Sequence, residues 1–331
     1  DNLNEKLSFN LLAQDRIEGA SVSLDPYTGA VRSLKGGSDF FTTQFDRAHN
    51  TKRQMTGLFL PFLVATALEH GFTAATPVNY VPMEGNRYGG DTPIPTLYEA
   101  ILAGMSFEAA RIYGNLGAGT VHQYLTKLGL NFERRDFGIA VGQGEISPVE
   151  AVASYTALAT DGQVRQPYYI EKIISMDGEK IYQHRSSRPQ KVFGPQTAYI
   201  VRTILQHNVD RGMASDARKF AENLGGVTGA SDDRHNSWFV GMLPRLVTVH
   251  WLGAEHGGLT LAETPEDAAA HPIKTYGLML KGLKDLKPYL KGSRPPDGLS
   301  YARVKFVDRN SKDPSLPFVA GTEPPKGKRR L

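Results

Sequence analysis

A pronounced helical pattern starts near Arg53 and continues to about His70. Its apolar residues recur three and four positions apart, which places them on one face of a helix. They are Leu58, Phe59, Phe62, Leu63 and Ala67. Asn50 or Thr51 can cap the first turn, so we predict a buried helix over this stretch.

Further stretches are predicted to be helical, and the one at 148–160 is apolar nearly all round, which indicates that it is buried. They are residues 1–18, 96–113, 120–130, 148–160, 197–209 and 274–290. Thr96 and Glu99 have the spacing of a capping box, which predicts where the second of these helices begins. Ser147 can cap the helix at 148–160, because Pro148 suits a first helical position and Glu150 favours the first turn.

Other segments alternate as strands do. Residues 20–31 predict a hairpin, because Pro26 fixes φ in its turn and Gly29 can supply a positive φ. A second hairpin is expected at 170–183. Three strands, at 225–229, 237–242 and 246–252, are expected at the centre of a sheet. Residues 292–331 are rich in Pro and Lys and predict an extended C-terminal segment.

Composition narrows the class of protein only slightly. The chain has 331 residues, 40% apolar and 22% charged, with a net charge of +4, which is ordinary for a globular protein and too weak to suggest nucleic-acid binding. It has no cysteine and no apolar run of about 18 residues, so we expect no disulfide and no membrane span. There is no secretory signal, and the start at Asp1 suggests a piece of a longer protein.

The start of the helical pattern at 53–70 resembles a known family. It reads Arg53-Gln54-Met55-Thr56-Gly57-Leu58-Phe59-Leu60-Pro61-Phe62. In the transpeptidase domain of class A penicillin-binding proteins the matching stretch reads Arg-Gln-Pro-Gly-Ser-x-Phe-Lys-Pro-Phe. Its Ser is the nucleophile and its Lys is the base, one helical turn apart. By this resemblance Gly57 stands at the serine position and Leu60 at the lysine position.

The family's two other motifs are also altered. Its Ser-x-Asn aligns with Gly104-Met105-Ser106, and its Lys-Thr-Gly-Thr/Ser aligns with Val227-Thr228-Gly229-Ala230. The shuttle serine and the anion-binding lysine are therefore lost. Ser106 is expected to cap a helix or to carry a buried hydroxyl. Thr228 and Gly229, with the following Ser231, are the candidates for residual ligand binding.

No other set of residues replaces the missing chemistry. No serine or threonine in the chain is followed by a lysine three residues later. Ser231 has Asp232, Asp233 and His235 nearby, but we interpret this polar run as a loop between strands. The carboxylates of Glu145 and Glu150 are expected to serve a loop and a helix N-terminus. The chain also lacks a phosphate-binding loop, a zinc-protease motif and a Gly-x-Ser-x-Gly elbow.

The resemblance implies an α/β fold of the penicillin-binding-protein and serine β-lactamase kind. We expect a five-stranded antiparallel sheet flanked by helices, together with a mostly helical subdomain. The boundaries are 1–17 for an N-terminal helix or linker, 18–290 for the transpeptidase-like domain with its helical subdomain at about 44–165, and 291–331 for a basic C-terminal segment.

The leading hypothesis is a pseudoenzyme: no catalytic residue, no cofactor, no metal and no acyl transfer. Such a domain would have a structural, interaction or regulatory role in peptidoglycan assembly, on the extracytoplasmic (periplasmic) face of the inner membrane. Its partners would be envelope or cell-wall synthesis proteins, and a missing upstream anchor and glycosyltransferase domain would attach it to the membrane. One alternative is a non-catalytic module that binds muropeptide or glycan. The other is an active acyl transferase or hydrolase with a relocated nucleophile.

Overall fold

The strands and helices are those of a computed structural model that describes residues 16–41, 43–78, 94–254, 259–292, 294–304 and 313–324. The strands are β1 (Ile17–Leu24), β2 (Val31–Lys35), β3 (Arg53–Gln54), β4 (Glu145–Ile146), β5 (Gln163–Val164), β6 (Lys172–Ile174), β7 (Lys180–Gln183), β8 (Gln190–Lys191), β9 (Gly225–Ala230), β10 (Asn236–Leu243), β11 (Leu246–Ala254), β12 (Leu299–Arg303) and β13 (Ser315–Val319). The helices are α1 (Arg47–Asn50), α2 (Leu60–Glu69), α3 (Leu97–Leu102), α4 (Ser106–Leu116), α5 (Ala118–Leu128), α6 (Phe137–Ala140), α7 (Pro148–Ala159), α8 (Pro195–Arg211), α9 (Pro265–Gly282) and α10 (Lys287–Leu290).

The central sheet has five strands in the order β2-β1-β11-β10-β9, and its pairs are antiparallel. This confirms the expected sheet. β10 and β11 are interior strands, as predicted, and Trp238 lies opposite Trp251 in their register. β9 was also expected at the centre, but it forms an edge, because within the described residues only β10 pairs with it.

The first hairpin, β1 and β2, confirms the turn chemistry. The Asp25 carboxylate accepts hydrogen bonds from the backbone N–H groups of Tyr27 and Thr28, and Gly29 has φ +81°. The helix predicted for residues 1–18 is wrong at its end, because Ile17 and Glu18 already belong to β1 and pair with β11. The remainder of that prediction, and residues 79–93 of the predicted loop region, lie outside the described residues.

The helix predicted from Arg53 begins later. β3 pairs with β4, the chain turns at residues 55–59, and α2 starts only at Leu60, with Phe59 as its N-cap. Neither Asn50 nor Thr51 caps it. The reason is Gly57, whose φ of +78° is incompatible with a continuous right-handed helix.

The helix predicted for 96–113 is two helices, α3 and α4. The capping box of Thr96 and Glu99 is present and starts α3 as expected. Gly104, with φ +58°, then interrupts the helix. Ser147 and Glu150 also form a capping box, which confirms the start of α7.

The C-terminal region differs from the prediction in two ways. The helix expected at 274–290 is two helices, α9 and the short α10. α9 begins at Pro265, because Thr264 caps it and accepts a hydrogen bond from the N–H of Asp267. Residues beyond 292 are not simply extended. β12 and β13 form a hairpin that packs on α8, with Phe318 buried.

Two hydrophobic clusters stabilise the fold. The larger contains side chains of α2, α7, α8 and one face of the sheet, and the smaller joins the sheet to α9. The turn at residues 55–59 precedes α2 and lies against the edge strand β9. This is the region in which the sequence motifs converge.

Candidate functional site

Gly57 presses directly against the edge strand. A Cβ built on Gly57 would lie 2.7 Å from the carbonyl oxygen of Thr228 and 2.8 Å from the Cα of Gly229. Reciprocally, a Cβ built on Gly229 would collide with the carbonyl oxygen of Thr56. Because these contacts are between backbones, side-chain rotation cannot relieve them. No side chain fits between the turn and β9 at this point.

Hydrogen bonds hold the 55–59 turn in this place from three sides. The indole N–H of Trp238 donates to the carbonyl oxygen of Gln54 at 2.7 Å, and the N–H of Met55 donates to Gly144 at 2.9 Å. The hydroxyl of Tyr155 donates to the carbonyl oxygen of Leu58 at 2.6 Å. Burial raises the pKa of Tyr155 well above its ordinary value, so this hydroxyl remains a donor. These three hydrogen bonds therefore fix the position of the turn against β9.

Leu60 and Val227, which align with two lysines of the family named above, have buried aliphatic side chains. Leu60 and Val227 are each 5% exposed, and both belong to the larger hydrophobic cluster. Neither side chain can accept or donate a proton. The side chains at the expected base and anion-binding positions therefore contribute packing.

The surviving threonine of the third motif does not point into open space. The hydroxyl of Thr228 lies 2.9 Å from the carbonyl oxygens of both Trp238 and Ala269, and the residue is buried. Ala269 belongs to α9, so this hydroxyl faces the helix behind the sheet. Ala230 ends β9 and lies opposite Ser237 of β10. Thr228 is consequently a weaker candidate for ligand binding than its alignment suggests.

The second motif sits at the break between α3 and α4. Gly104 packs against the sulfur of Met213, and a Cβ there would collide with it. Ser106 is exposed as the first residue of α4, whose N-cap is Met105 without a side-chain hydrogen bond. The expectation that Ser106 caps a helix or is buried is therefore wrong, because the cap position falls one residue earlier.

A groove of about 660 Å³ remains beside these motifs. Its lining comes from the segment 54–56, from α4 and its N-terminus, from residues 141–143 and from the loop after β9. The lining residues are Gln54, Thr56, Met105, Ser106, Phe107, Glu108, Arg111, Val141, Gln143, Asp232 and Asp233. Of the predicted site residues, only Ser106 is among them. Gly57, Leu60 and the residues of β9 are not.

Sequence reasoning missed most of this groove. Phe107, Glu108 and Arg111 directly follow the second motif in α4, but the motif gave no reason to single them out. Glu108 and Arg111 are buried, and Phe107 is 55% exposed. The only available signal was their closeness in sequence to an altered motif, which does not say which side chains face the groove.

The polar run after β9 is a loop, as predicted. The Ser231 hydroxyl donates to Asp233 and accepts from the N–H of Asn236 at 3.0 Å, while Asp233 lies 3.4 Å from the Nδ1 of His235. Burial opposes ionisation of Asp233, but the hydrogen bonds from Ser231 and His235 prevail and lower its pKa. A hydrolytic triad needs the histidine between serine and aspartate. Here the aspartate is in the middle, so the Ser231 hydroxyl donates to a carboxylate and not to an imidazole.

The two glutamates named in the sequence have structural environments. Glu150 accepts from the N–H of Ser147 at 2.8 Å and pairs with Lys52 at 3.0 Å. Glu145 lies in β4 opposite Gln54, with its side chain exposed. Among the residues that the structure describes, no three His, Cys, Asp or Glu side chains cluster as metal ligands would.

Sequence comparison places the chain among known proteins. Penicillin-binding protein 1A of Neisseria lactamica is 30% identical over 95% of this chain and 42% of its own length. Penicillin-binding protein 1A of Pseudomonas aeruginosa is 28% identical over 91% of this chain and 44% of its own length. The chain therefore spans less than half the length of these relatives.

Solved structures share the fold. A crystal structure of penicillin-binding protein 1A from Haemophilus influenzae has a TM-score of 0.79 at 20% identity, covering 94% of this chain and 54% of that one. The penicillin-binding protein PonA1 from Mycobacterium tuberculosis has a TM-score of 0.69 at 20% identity, covering 89% of this chain and 85% of that one.

The family profile described as "Penicillin binding protein transpeptidase domain" matches residues 19–263. That range contains most of β1, the helices α1 to α8 and the strands β9, β10 and β11. Together with the relatives above, this match shows that the chain belongs to the transpeptidase domain family of class A penicillin-binding proteins.

Proposed function

We propose that this transpeptidase domain does not transfer acyl groups and serves a structural, interaction or regulatory role in peptidoglycan assembly. One observation carries the proposal. At the position where the family has its serine, Gly57 meets the backbone of Thr228 and Gly229 so closely that no side chain fits. A nucleophile at this position would have no room beside the strand that it must face.

The residues at the base position and at the anion-binding position also support the absence of acyl transfer. A serine nucleophile needs an adjacent base to take its proton, and Leu60 cannot act as one. Removing the nucleophile alone from a serine hydrolase costs about six orders of magnitude in rate. Here the base and the anion-binding lysine are replaced as well, by side chains that pack in the core.

The proposal is tested with a fluorescent penicillin. The purified chain and an active class A transpeptidase domain are incubated with the label and separated under denaturing conditions. We expect label only on the active domain. Stoichiometric label on this chain defeats the proposal. If its site maps to a serine or threonine elsewhere in the groove, the alternative of a relocated nucleophile is correct.

We further propose that the domain acts on the extracytoplasmic face of the inner membrane, as part of a longer chain with a membrane anchor and a glycosyltransferase domain. Its partners there are other envelope or cell-wall synthesis proteins. The support is the length of the relatives, of which this chain spans less than half. No helix among the described residues is long and apolar enough to cross a bilayer. Protease added to intact spheroplasts should cleave the domain, and protection would contradict this placement.

A second candidate function is favoured by the groove. A cavity of about 660 Å³ with polar and aromatic lining is large enough to hold part of a peptide or glycan. Under this alternative the domain binds muropeptide without reacting with it. Ser106 lies exposed at the groove, so Ser106→Trp should abolish binding measured by calorimetry, whereas Ser186→Trp at another exposed serine should leave it unchanged. If the unaltered chain does not bind muropeptide, this alternative is wrong and the structural role remains.

A further inference from the structure

Three phenylalanines are exposed together on the loop that joins β2 to α1. Phe40, Phe41 and Phe45 are 66%, 95% and 49% exposed, and the rings of Phe40 and Phe41 meet edge to face with their centroids 6.1 Å apart. We name residues 39–41 and 43–45 the aromatic loop. Removing phenylalanine rings from water is favourable, so a group of exposed rings marks a surface that another apolar segment can cover.

A buried ion pair holds the base of the aromatic loop. Glu18 and Arg47 are 3% and 2% exposed, and Nη1 of Arg47 lies 3.9 Å from Oε2 of Glu18. The N–H and the hydroxyl of Ser38 each donate to the Glu18 carboxylate at 3.1 Å. The N–H of Arg47 donates to the carbonyl oxygen of Gly36, and its Nη1 donates to that of Phe45. The aromatic loop is therefore anchored to β1 and α1.

The direction of the chain places the aromatic loop beside the residues that precede β1. β1 and β2 are antiparallel, with Ser21 opposite Lys35, so the chain after Lys35 runs back towards the start of β1. Ser38 already contacts Glu18, which is the second residue of β1. The aromatic loop follows directly, so it lies at the end of the sheet where residues 1–15 join the domain.

Residues 1–15 have apolar side chains at a spacing that suits this surface. They lie outside the described residues, and their sequence has leucine at positions 3, 7 and 11. Leucines four positions apart share one face of a helix, and the charged residues of the segment occupy other positions. From Leu3 to Leu11 such a face is about 12 Å long, at a rise of about 1.5 Å per residue. It is long enough to contact three phenylalanine rings.

Attachment favours this segment over a separate molecule. A segment joined directly to β1 is present at the aromatic loop at an effective concentration on the order of millimolar. A second copy or another protein must instead lose translational and rotational freedom to bind there. Position, sequence pattern and attachment therefore agree on the residues that precede β1 as the occupant.

We propose that the leucines of residues 3–11 cover the three phenylalanines of the aromatic loop. The segment then leaves the domain in a fixed direction, so any part of a longer chain that precedes it is joined stiffly and not through a free tether. This inference does not depend on whether the domain transfers acyl groups.

Because the chain has no cysteine, a single introduced thiol reports on this cover. Phe41→Cys and Met176→Cys each give the 331-residue protein one thiol. Met176 is fully exposed between β6 and β7, so its thiol is the uncovered reference. We expect maleimide to label the thiol of Phe41→Cys at least about tenfold more slowly than the reference, because Phe40 and Phe45 still hold the segment in place.

Two matched substitutions identify the covering residues. In the Phe41→Cys protein, Leu7→Gln removes one apolar contact and should raise the labelling rate at least about fivefold. Lys6→Gln introduces the same side chain one position away, outside the leucine series, and should leave labelling slow. Circular dichroism and urea denaturation of each variant check that the domain remains folded.

Four results would overturn the proposal. Equal labelling of Phe41→Cys and Met176→Cys shows that the aromatic loop is uncovered. Protection that disappears on dilution shows that a second copy covers it. Protection that appears only with vesicles of anionic phospholipid shows that a membrane surface does. Protection that Leu7→Gln leaves intact, or that Lys6→Gln removes equally, shows that the leucine series is not the cover.

Discussion

At the scale of single residues, the positive φ of Gly57 and its contact with β9 have separable costs. Gly71 provides the comparison, since its φ is +86° and no described atom lies within 4 Å of a Cβ built there. A side chain at Gly71 therefore meets only the backbone preference, about 1–3 kcal/mol. A side chain at Gly57 meets that preference and the backbone of β9 together.

We therefore predict that Gly57→Ser lowers the free energy of unfolding by clearly more than Gly71→Ser does. The measurement is urea denaturation followed by tryptophan fluorescence, which reports on Trp238 and Trp251 in the sheet. If both variants lose the same free energy of unfolding, β9 moves aside easily. The contact between Gly57 and β9 would then not exclude a side chain.

His250 predicts a pH dependence of stability. It lies in β11, near Thr275 and the ring of Tyr276, and burial lowers its pKa to about 4. The unfolded chain binds a proton near pH 6.5 and the folded chain does not, so stability is fully present above pH 6.5 and falls as the pH drops towards 4. The loss should approach roughly 3 kcal/mol. In His250→Gln the fall over this range should be smaller by that amount, and parallel curves for both proteins would refute the assignment.

Residue identity also limited what the sequence could reveal about the site. The alignment located Gly57, Leu60 and Val227, and the apolar nature of the last two predicted packing. The sequence could not show that the backbone of Gly57 touches Gly229, because that contact joins residues far apart in the chain. Ser106 was misplaced for a similar reason: a shift of one residue in a helix start turned an expected cap into an exposed hydroxyl.

At the scale of elements, the C-terminal hairpin contributes to the main core. The family profile ends at residue 263, yet Phe318 in β13 is 1% exposed and belongs to the larger hydrophobic cluster. Phe318→Ala should cost about 3–5 kcal/mol of unfolding free energy. The neighbouring Val319 is 43% exposed, so Val319→Ala should cost less than about 1 kcal/mol.

Denaturant titration of Phe318→Ala and Val319→Ala measures these two free-energy losses. A small effect of Phe318→Ala would mean that the hairpin is only loosely attached. The sequence suggested nothing of this packing, because Leu316, Pro317 and Phe318 are buried in succession and show no strand-like alternation.

Elements with local signals were predicted well. The capping residues of α3 and α7 fixed their starts, and the turn at Asp25 and Gly29 fixed the first hairpin. The start of α2 was predicted wrongly. Apolar periodicity continues through the turn at residues 55–59, although the backbone there is not helical. Periodicity reports which side chains are buried, and it does not report φ.

At the scale of the whole molecule, the resemblance supplied the fold, and composition alone indicated only a mixed α/β protein. The five-stranded antiparallel sheet with its helices keeps the family fold. The groove remains beside the altered motifs but is lined mostly by other residues. The scaffold therefore persists, whereas Gly57 and Leu60 stand at the positions of the family's serine and lysine.

Intact-protein mass after incubation with a β-lactam tests the absence of acyl transfer most directly. The unaltered chain and the double variant Gly57→Ser/Leu60→Lys are each treated with excess benzylpenicillin. We predict no mass increase for either protein, because even a restored serine and lysine would face the closed contact with β9. A stoichiometric increase equal to one β-lactam on the unaltered chain would contradict the absence of acyl transfer, and the same increase on the double variant would contradict the closed contact with β9.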